Sequence, residues 1–365
     1  MTALRSVTMM EVIQRIPSRL KDIINNKEHT VEAFTRKYQK ELLNIREIIV
    51  VASGSSLTSS ITALPSLEKH TQKRVTCVSA NEFLKDWLVF PSDALYIFVS
   101  QTGTSGSTRE CQRRMIKSNN LCVAITEHES TPLSTESLFH IEMGSGVEEY
   151  GQRTIGYTTT VFTLTLLGIE IGFVTDKLDA TTRVQLYQRA QTAIAMHKDV
   201  VDTMNSWFEY RKRSMMRARA VIFVGSSDLK GLALEGSVKL WETPQIPSFG
   251  YEIEEAMHSI NYGMSDQYAL IVFEGLHENR QFTRNFTNWL RDTYGNVYYL
   301  GSDADESHDL DFNIATQDEI FRFISYSAAM QVMNYRLAVD GGRNLLAMQN
   351  HEVMNAYFRM HGDTK

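Results

Sequence analysis

The chain has 365 residues, a net charge of −6 and 43% hydrophobic residues, which suggests two domains and excludes a disordered or fibrous protein. The acidic balance argues against a broad nucleic-acid surface. The sequence has neither a run of roughly 20 apolar residues nor the apolar core of a secretory signal, so we expect a cytoplasmic protein with no membrane partner. Its three cysteines form no C-x-x-C pair and are expected to be buried or incidental thiols.

Short apolar runs alternate with helical segments along the whole chain. Strands are predicted at 47–52, 94–100, 121–126, 138–142, 220–225, 269–273, 296–300 and 311–315. Helices are predicted at 107–119 and 279–294, and the apolar segment 158–174 is expected to be a buried helix. Because the strand runs are almost entirely apolar, they are typical of strands covered on both faces. The alternation therefore predicts an α/β fold with parallel sheets built from βαβ units.

The two halves of the chain resemble each other. The segment ending in Ser55-Ser56 is matched by one ending in Ser226-Ser227, and the segment from Ser92 by one from Ser265. The two matches are separated by nearly the same number of residues along the chain, which predicts a duplicated α/β domain. The predicted organisation is leading helices at 1–45, a first domain at 46–177, a helical linker at 178–219, a second domain at 220–317 and closing helices at 318–365.

Two hydroxyl-rich loops directly follow predicted strands, at 53–56 and 100–108. Open α/β sheets bind ligands at the carboxyl ends of their strands, where small residues, hydroxyls and helix-start amides suit an anion. Each loop by itself also fits an ordinary helix cap and turn. No Walker-type or G-x-G-x-x-G motif is present, and the equivalent loop at 273–275 lacks hydroxyls. A phosphate site is therefore expected in the first domain only.

The second half has acidic and basic residues at helical spacing. Glu235, Lys239 and Glu242 fall on one helix face, and His258 follows in the segment Glu254–His258. A solvated salt-bridged face and a structural histidine would explain the same pattern. An acid and a histidine also suit proton transfer near neutral pH. No metal-binding or nucleophile-elbow motif is present, so no metal and no cofactor is expected.

Several segments together resemble one family, the tandem SIS (sugar isomerase) domain proteins. The resemblance lies in the opening 10–17, the S-Q-T-G-T-S element at 100–105, the loop 53–56 with Ala52 in place of a glycine, E-Y-G-Q-R-T at 149–154, and L-E-G-S-V-K-L-W-E at 234–242 followed by E-E-A-M-H. The family includes the isomerase half of glucosamine-6-phosphate synthase and the fructosamine-6-phosphate deglycases. The resemblance implies two tandem SIS domains, each a parallel sheet flanked by helices in a three-layer αβα, flavodoxin- or Rossmann-like fold.

The resemblance also implies roles for individual residues. Sugar phosphate would be held by Ser56, Ser100, Gln101, Thr102 and Ser105, and further substrate contacts would come from Ser55, Thr154, Glu235, Lys239 and Arg343. Glu242 would shuttle a proton between C1 and C2 of the sugar, and His258 would assist ring opening from a neighbouring subunit. At least a homodimer is therefore expected.

The preferred function is a sugar-phosphate deglycase that cleaves a ketosamine 6-phosphate to a hexose 6-phosphate and a free amine. The alternatives are an amino-sugar or keto-sugar 6-phosphate isomerase and a non-catalytic sugar-phosphate regulator. The tail keeps Arg343-Asn344-Leu345 but has Ala347 where the synthase has a lysine that engages the keto-sugar carbonyl. A ketosamine carries its own nitrogen and has less need of that lysine. No amidotransferase segment precedes the SIS half, so glutamine-dependent synthesis is not expected.

Overall fold

The computed structural model describes residues 7–148, 151–305, 308–314 and 318–346, with the side chain of Ser227 left out. The described residues divide into two compact units: the first is 18–188, and the second combines 7–17 with 189–346. The changeover falls inside one continuous helix, Ala180–Met215, which lies within the segment 178–219.

The first unit is built on a five-stranded parallel sheet. Its strands are β1 (Glu47–Ala52), β2 (Arg74–Ser79), β3 (Ala94–Val99), β4 (Leu121–Thr126) and β5 (His140–Glu142), in the order β2-β1-β3-β4-β5. The helices that begin before or within this unit are α1 (Met9–Asn25), α2 (Val31–Lys37), α3 (Gln39–Asn44), α4 (Ser55–Thr71), α5 (Ala80–Lys85), α6 (Gly106–Lys117), α7 (Pro132–Thr135), α8 (Ile155–Val174) and α9 (Ala180–Met215).

The second unit repeats this topology. Its strands are β6 (Ala220–Gly225), β7 (Ser248–Glu252), β8 (Tyr268–Phe273), β9 (Val297–Gly301) and β10 (Phe312–Asn313), in the order β10-β9-β8-β6-β7. Its helices after α9 are α10 (Lys230–Glu242), α11 (Ile253–Ser259), α12 (Glu278–Tyr294) and α13 (Phe323–Asp340). Read from the other edge, the order is that of the first sheet, so the predicted fold class, two parallel sheets flanked by helices, is confirmed.

The register of the strands shows which single residues of the two units correspond to each other. Val51 of β1 pairs with Phe98 of β3, and Val224 of β6 pairs with Val272 of β8. Two residues beyond each of these paired residues, Ser53 of the first unit corresponds to Ser226 of the second, and Ser100 corresponds to Glu274. The sequence match that placed Ser55 opposite Ser226 is therefore two residues out, because serine recurs in both segments and repeated small residues do not define a register.

Strands β2 and β7 were missed by the sequence patterns. Both are edge strands, and their sequences Arg-Val-Thr-Cys-Val-Ser and Ser-Phe-Gly-Tyr-Glu are too polar for the all-apolar pattern. Gly250 in β7 is required by packing, since a Cβ there would lie 2.5 Å from the carbonyl oxygen of Ala233 in α10. Glycine inside a strand therefore marks a close helix contact here and not a break.

Helix α8 is the buried helix that the apolar segment predicts, beginning three residues earlier than expected. Among the described residues it is the one helix long and apolar enough to cross a membrane, and 89% of it is buried inside the protein. It packs mainly on α4. Its single carboxylate, Glu170, accepts hydrogen bonds from Arg183 and Tyr187. Cys111 and Cys122 are buried and unpaired, and burial raises the pKa of both thiols to about 12.

Candidate functional site

The first hydroxyl-rich loop lies between β1 and α4. Gly54 has φ 58°, a left-handed conformation that favours glycine, and its carbonyl accepts hydrogen bonds from Leu57 N and Thr58 N at 2.9 and 3.1 Å. Ser55 and Ser56 form the first turn of α4 and are partly exposed. Amides in the first turn of a helix have no intrahelical acceptor and can donate to an anion. Both serines therefore belong to a turn where an anion would be stabilised.

The second loop lies between β3 and α6. Ser100 is buried, and its carbonyl accepts a hydrogen bond from Gly103 N at 3.0 Å. Gly103 has φ 63°, and a Cβ on it would lie 2.6 Å from the Thr131 side chain, so only glycine fits this turn. Thr102 Oγ1 and Thr104 Oγ1 are 2.8 Å apart, and Ser105 Oγ lies 3.0 Å from Thr108 Oγ1 at the start of α6. The loop is thus a tight hydroxyl-lined turn leading into a helix.

These two loops lie at the same end of the sheet, where the strands have their carboxyl ends. Strands β1 and β3 are parallel neighbours, and each loop follows the carboxyl end of its strand. The structure therefore brings together the residues expected to hold phosphate, which are Ser56, Ser100, Gln101, Thr102 and Ser105, with Ser55 beside them. At this end both helices present their N-termini, and the first turn of α6 contains no acidic residue.

The start of α8 meets the second loop through Glu148, which the sequence analysis did not single out. Glu148 Oε1 accepts hydrogen bonds from Thr154 N and Ile155 N at 2.7 and 3.2 Å. Its Oε2 accepts from Gly156 N at 3.2 Å and from Gln101 Nε2 at 3.1 Å. Thr154 itself is buried and donates its hydroxyl to the Gln152 carbonyl at 2.9 Å. Glu149, the first residue of the motif used in sequence analysis, lies outside the described residues.

A second carboxyl group lies near Gln101. Glu127 directly follows β4, is buried, and donates its backbone N–H to the Gln101 carbonyl at 2.9 Å. Burial raises the pKa of the Glu127 carboxyl, and the neighbouring Arg153 opposes this shift. Glu127 and Glu148 therefore both contact Gln101, Glu127 through its backbone N–H and Glu148 through its carboxylate.

Glu235, Lys239 and Glu242 of α10 form a triad in which the lysine pairs with both carboxylates. Lys239 Nζ lies 2.6 Å from Glu242 Oε2 and 3.4 Å from Glu235 Oε1. The side chains of Glu235 and Lys239 are 0% and 2% exposed, whereas that of Glu242 is 41% exposed. The spacing correctly predicts a shared face, but the alternative of a solvated face is wrong for Glu235 and Lys239. Glu242 is the member of the triad that solvent or a ligand can reach.

His258 lies on the short helix α11, which follows β7. Its side chain is exposed, as are those of Met257 and Tyr262 nearby in the chain. Glu252 caps α11 by accepting from Glu254 N at 2.7 Å and Glu255 N at 3.4 Å. The local fold thus presents His258 outward from its own unit.

The strand end of the second unit that corresponds to Ser100 carries Glu274. Its carboxylate is fully buried, lies 2.6 Å from Arg280 Nε, and accepts hydrogen bonds from the backbone and hydroxyl of Ser302. The unit's own carboxylate already engages these donors, so a phosphate at this point would have to compete with Glu274 for them. A phosphate site in the first unit only stays a prediction, and the buried Glu274 carboxylate at this strand end favours it.

Two further expected features lie near the chain's end. Arg343 is exposed, and its backbone N–H donates to the Ala338 carbonyl at 2.9 Å. Ala347, which stands at the lysine position of the resemblance, lies outside the described residues. Within the ranges that the structure describes, no three His, Cys, Asp or Glu side chains are grouped closely enough to hold a metal ion.

Comparison with known proteins gives matches to one family and one fold. Residues 41–170 match the family model of the SIS domain. The chain is 22% identical over 337 residues to glutamine–fructose-6-phosphate aminotransferase (isomerizing) of Wigglesworthia glossinidia brevipalpis, covering 91% of this chain and 55% of that protein. This chain therefore spans about half the length of the curated relative it matches.

Solved structures match over nearly the whole chain. A candidate phosphosugar isomerase from Clostridium difficile 630 superposes with a TM-score of 0.87 at 22% identity, covering 96% of this chain and 98% of that one. The C-terminal domain of glucosamine-fructose-6-phosphate aminotransferase from Francisella tularensis superposes with a TM-score of 0.85 at 17% identity, covering 92% and 97%. At these identities the likeness establishes the fold.

Proposed function

We propose, from the match of residues 41–170 to the SIS domain, that the chain is a sugar-phosphate enzyme whose first unit binds the phosphate. The observation that carries the proposal is the loop 100–105, a glycine-dependent turn lined with hydroxyls at the start of α6. Such a turn supplies the donors that a phosphate needs. The likeness to phosphosugar isomerases and to the isomerase half of aminotransferases supports the same class of substrate.

Glu242 is proposed as the base of the reaction. It is the reachable carboxylate of the α10 triad, and Lys239, 2.6 Å away, holds it in place. Isomerase and deglycase chemistry both begin with removal of a carbon-bound proton beside a carbonyl or iminium carbon and its return one carbon away. A positioned carboxylate can perform both transfers without a metal.

Within this class we favour deglycase activity on a ketosamine 6-phosphate. Glu242 would take the C1 proton and return it at C2 while the amine N–H proton moves to the C2 oxygen, which leaves a C1=N imine and a C2 hydroxyl. Water would then add to the imine carbon and release the amine and a hexose 6-phosphate. The support is Ala347 at the lysine position, since a substrate with its own nitrogen needs no lysine amine. An amino-sugar or keto-sugar phosphate isomerase is the second candidate, favoured by the structural likeness to a candidate phosphosugar isomerase.

A second copy of the chain is part of the proposal. His258 is exposed on α11, and apolar side chains before and after it in the chain are exposed as well, among them Phe249, Met257 and Tyr262, as expected for a surface that another copy covers. His258 would then assist opening of the sugar ring in the neighbouring subunit, and the enzyme would act as a cytoplasmic homodimer or higher oligomer. Mixing Glu242→Gln and His258→Ala chains should restore activity, and no recovery despite measured subunit exchange would contradict donation between subunits.

The substrate test compares two reactions under matched conditions. Ketosamine 6-phosphates are supplied in one arm, and fructose 6-phosphate with ammonia in the other, with Glu242→Gln as the control for both. Deglycase activity predicts amine release in the first arm, abolished by the substitution. Glucosamine 6-phosphate formed efficiently in the second arm, with ketosamines untouched, would refute the deglycase and favour the isomerase. Binding of sugar phosphates without turnover in either arm would favour a regulator.

A further inference from the structure

The side chain of Gln101 is directed at helix α8. Its Nε2 donates to Glu148 Oε2 at 3.1 Å, and a Cβ atom on Gly156 would overlap its amide. Its backbone carbonyl accepts a hydrogen bond from Glu127 N at 2.9 Å. Gln101 is only 8% exposed. The amide group is therefore engaged inside the first unit, although the residue lies within the phosphate loop.

Glu148 joins this loop to the first turn of α8. An ionised carboxylate has about four acceptor positions, and here it accepts from four donors: Thr154 N, Ile155 N, Gly156 N and Gln101 Nε2. Three of these are amides at the start of α8, where the helix dipole is positive and the amides lack intrahelical acceptors. Glu148 is thus both the cap of α8 and the anchor of Gln101.

The same bonds explain why a carboxylate is tolerated so close to an anion site. An isolated negative charge beside the loop would repel phosphate. The α8 amides surround the Glu148 carboxylate, which is 7% exposed, and offset much of its charge. Glu148 can therefore hold the loop without opposing the ligand.

We propose that Glu148 is a positioning residue that holds the loop 100–105 in its phosphate-binding shape through the side chain of Gln101. The Gln101 amide is then a tie to α8, and the phosphate is bound by the hydroxyls and backbone amides of the loop. This differs from the direct phosphate contact that the sequence resemblance implies for Gln101. The inference rests on the proposed function for the identity of the ligand.

The expected consequence is a weaker site with unchanged chemistry. A loop that is already ordered does not lose conformational freedom when the ligand binds, so releasing the tie should raise Kd and KM. Because neither residue touches the reacting carbons in this proposal, kcat should stay within about twofold. This split between KM and kcat separates positioning from general damage to the fold.

The test is a double-substitution cycle with Glu148→Ala and Gln101→Ala. Binding of inorganic phosphate and of fructose 6-phosphate is measured by calorimetry, and KM and kcat are measured with the substrate that is turned over. Each single change should weaken binding about tenfold, and the double variant should be no weaker than Glu148→Ala alone. Glu170→Gln is the matched control, since Glu170 is a buried carboxylate further along α8 that bonds to Arg183 and Tyr187. It should lower stability and leave phosphate affinity unchanged.

Additive losses, about a hundredfold in the double variant, would overturn the proposal because Gln101 would then contact the phosphate itself. Unchanged affinity in Glu148→Ala would overturn it as well. Should Glu148→Ala fail to fold, Glu148→Gln keeps the shape, puts an amide donor opposite another donor, and should show a smaller loss in the same direction; no loss there would refute the tie. A protein that binds phosphate but turns over no sugar phosphate contradicts the proposed function only, whereas one that binds neither ligand contradicts both.

Discussion

Replacing Lys239 by methionine should destabilise the second unit strongly. Lys239 is 2% exposed and lies 3.4 Å from Glu235, whose side chain is 0% exposed. Methionine keeps the length of the side chain and removes the charge, so the Glu235 carboxylate would stay buried without this cation. Breaking a buried ion pair from one side costs about 3–5 kcal/mol.

The double variant Glu235→Leu with Lys239→Met should recover most of that loss. Replacing both partners of a buried pair by apolar side chains of similar volume is often neutral or stabilising. Glu242→Gln alone should cost less than about 1 kcal/mol, because its side chain is 41% exposed and partly exposed ion pairs contribute little. Lys230→Met, an exposed lysine at the start of the same helix, is the matched control and should leave stability unchanged.

The assay is urea unfolding followed by circular dichroism at pH 7, with kcat measured on the same preparations. A loss below about 1 kcal/mol in Lys239→Met, or a double variant as unstable as the single one, would refute the burial of the pair. The recovered double variant should still turn over slowly, because Glu242 would lack the ammonium group that orients it. Normal kcat in that variant would mean that Lys239 serves stability alone.

Three further outcomes are expected. Ser105→Ala should raise KM for the phosphorylated substrate about 10- to 100-fold, since a hydrogen bond to a charged group is worth roughly 1.5–3 kcal/mol, and unphosphorylated sugar should show no such change. Glu242→Gln should lower kcat about 10²- to 10⁴-fold with a smaller effect on KM, and near-parental kcat would refute its role as base. Burial lowers the pKa of His197 from 6.5 to about 4, so the unfolded chain takes up the proton first and stability should fall by about 3 kcal/mol as pH drops from about 6.5 to 4. His197→Phe should flatten that pH dependence in urea titrations, whereas exposed His29→Gln should not.

The core of each sheet could be predicted because its strands are covered on both faces. Strand β1 and strand β6 have the bounds that the apolar runs predict. Strands β2 and β7 were not predicted because an edge strand need not be apolar on both faces. In β7, moreover, a glycine is required for close packing against a helix. Hydrophobic pattern thus reports burial, and it misses strands whose sequences are polar, such as β2 and β7.

The candidate site was predictable where its residues are close in sequence. The turn at Gly103 and the helix face of Glu235, Lys239 and Glu242 follow from local spacing. The spacing could not predict that Glu235 and Lys239 are buried. Periodicity shows which residues share one face of a helix, but not which other elements cover that face. Glu148 was missed since its partners are backbone amides six to eight residues away and a side chain on another strand end, which no local motif encodes.

The duplicated sheets show how one topology can carry two electrostatic roles. Ser100 and Glu274 occupy the same position after the third strand of each sheet in chain order. In the first unit the position leads into a turn of hydroxyls, for which we propose an anion as ligand. In the second unit the Glu274 carboxylate takes the donors for itself, binding Arg280 and Ser302. Because the buried Glu274 carboxylate occupies these donors, we expect the second unit to leave phosphate to the first unit and to contribute instead the groups of α10 and α11 that are proposed for catalysis.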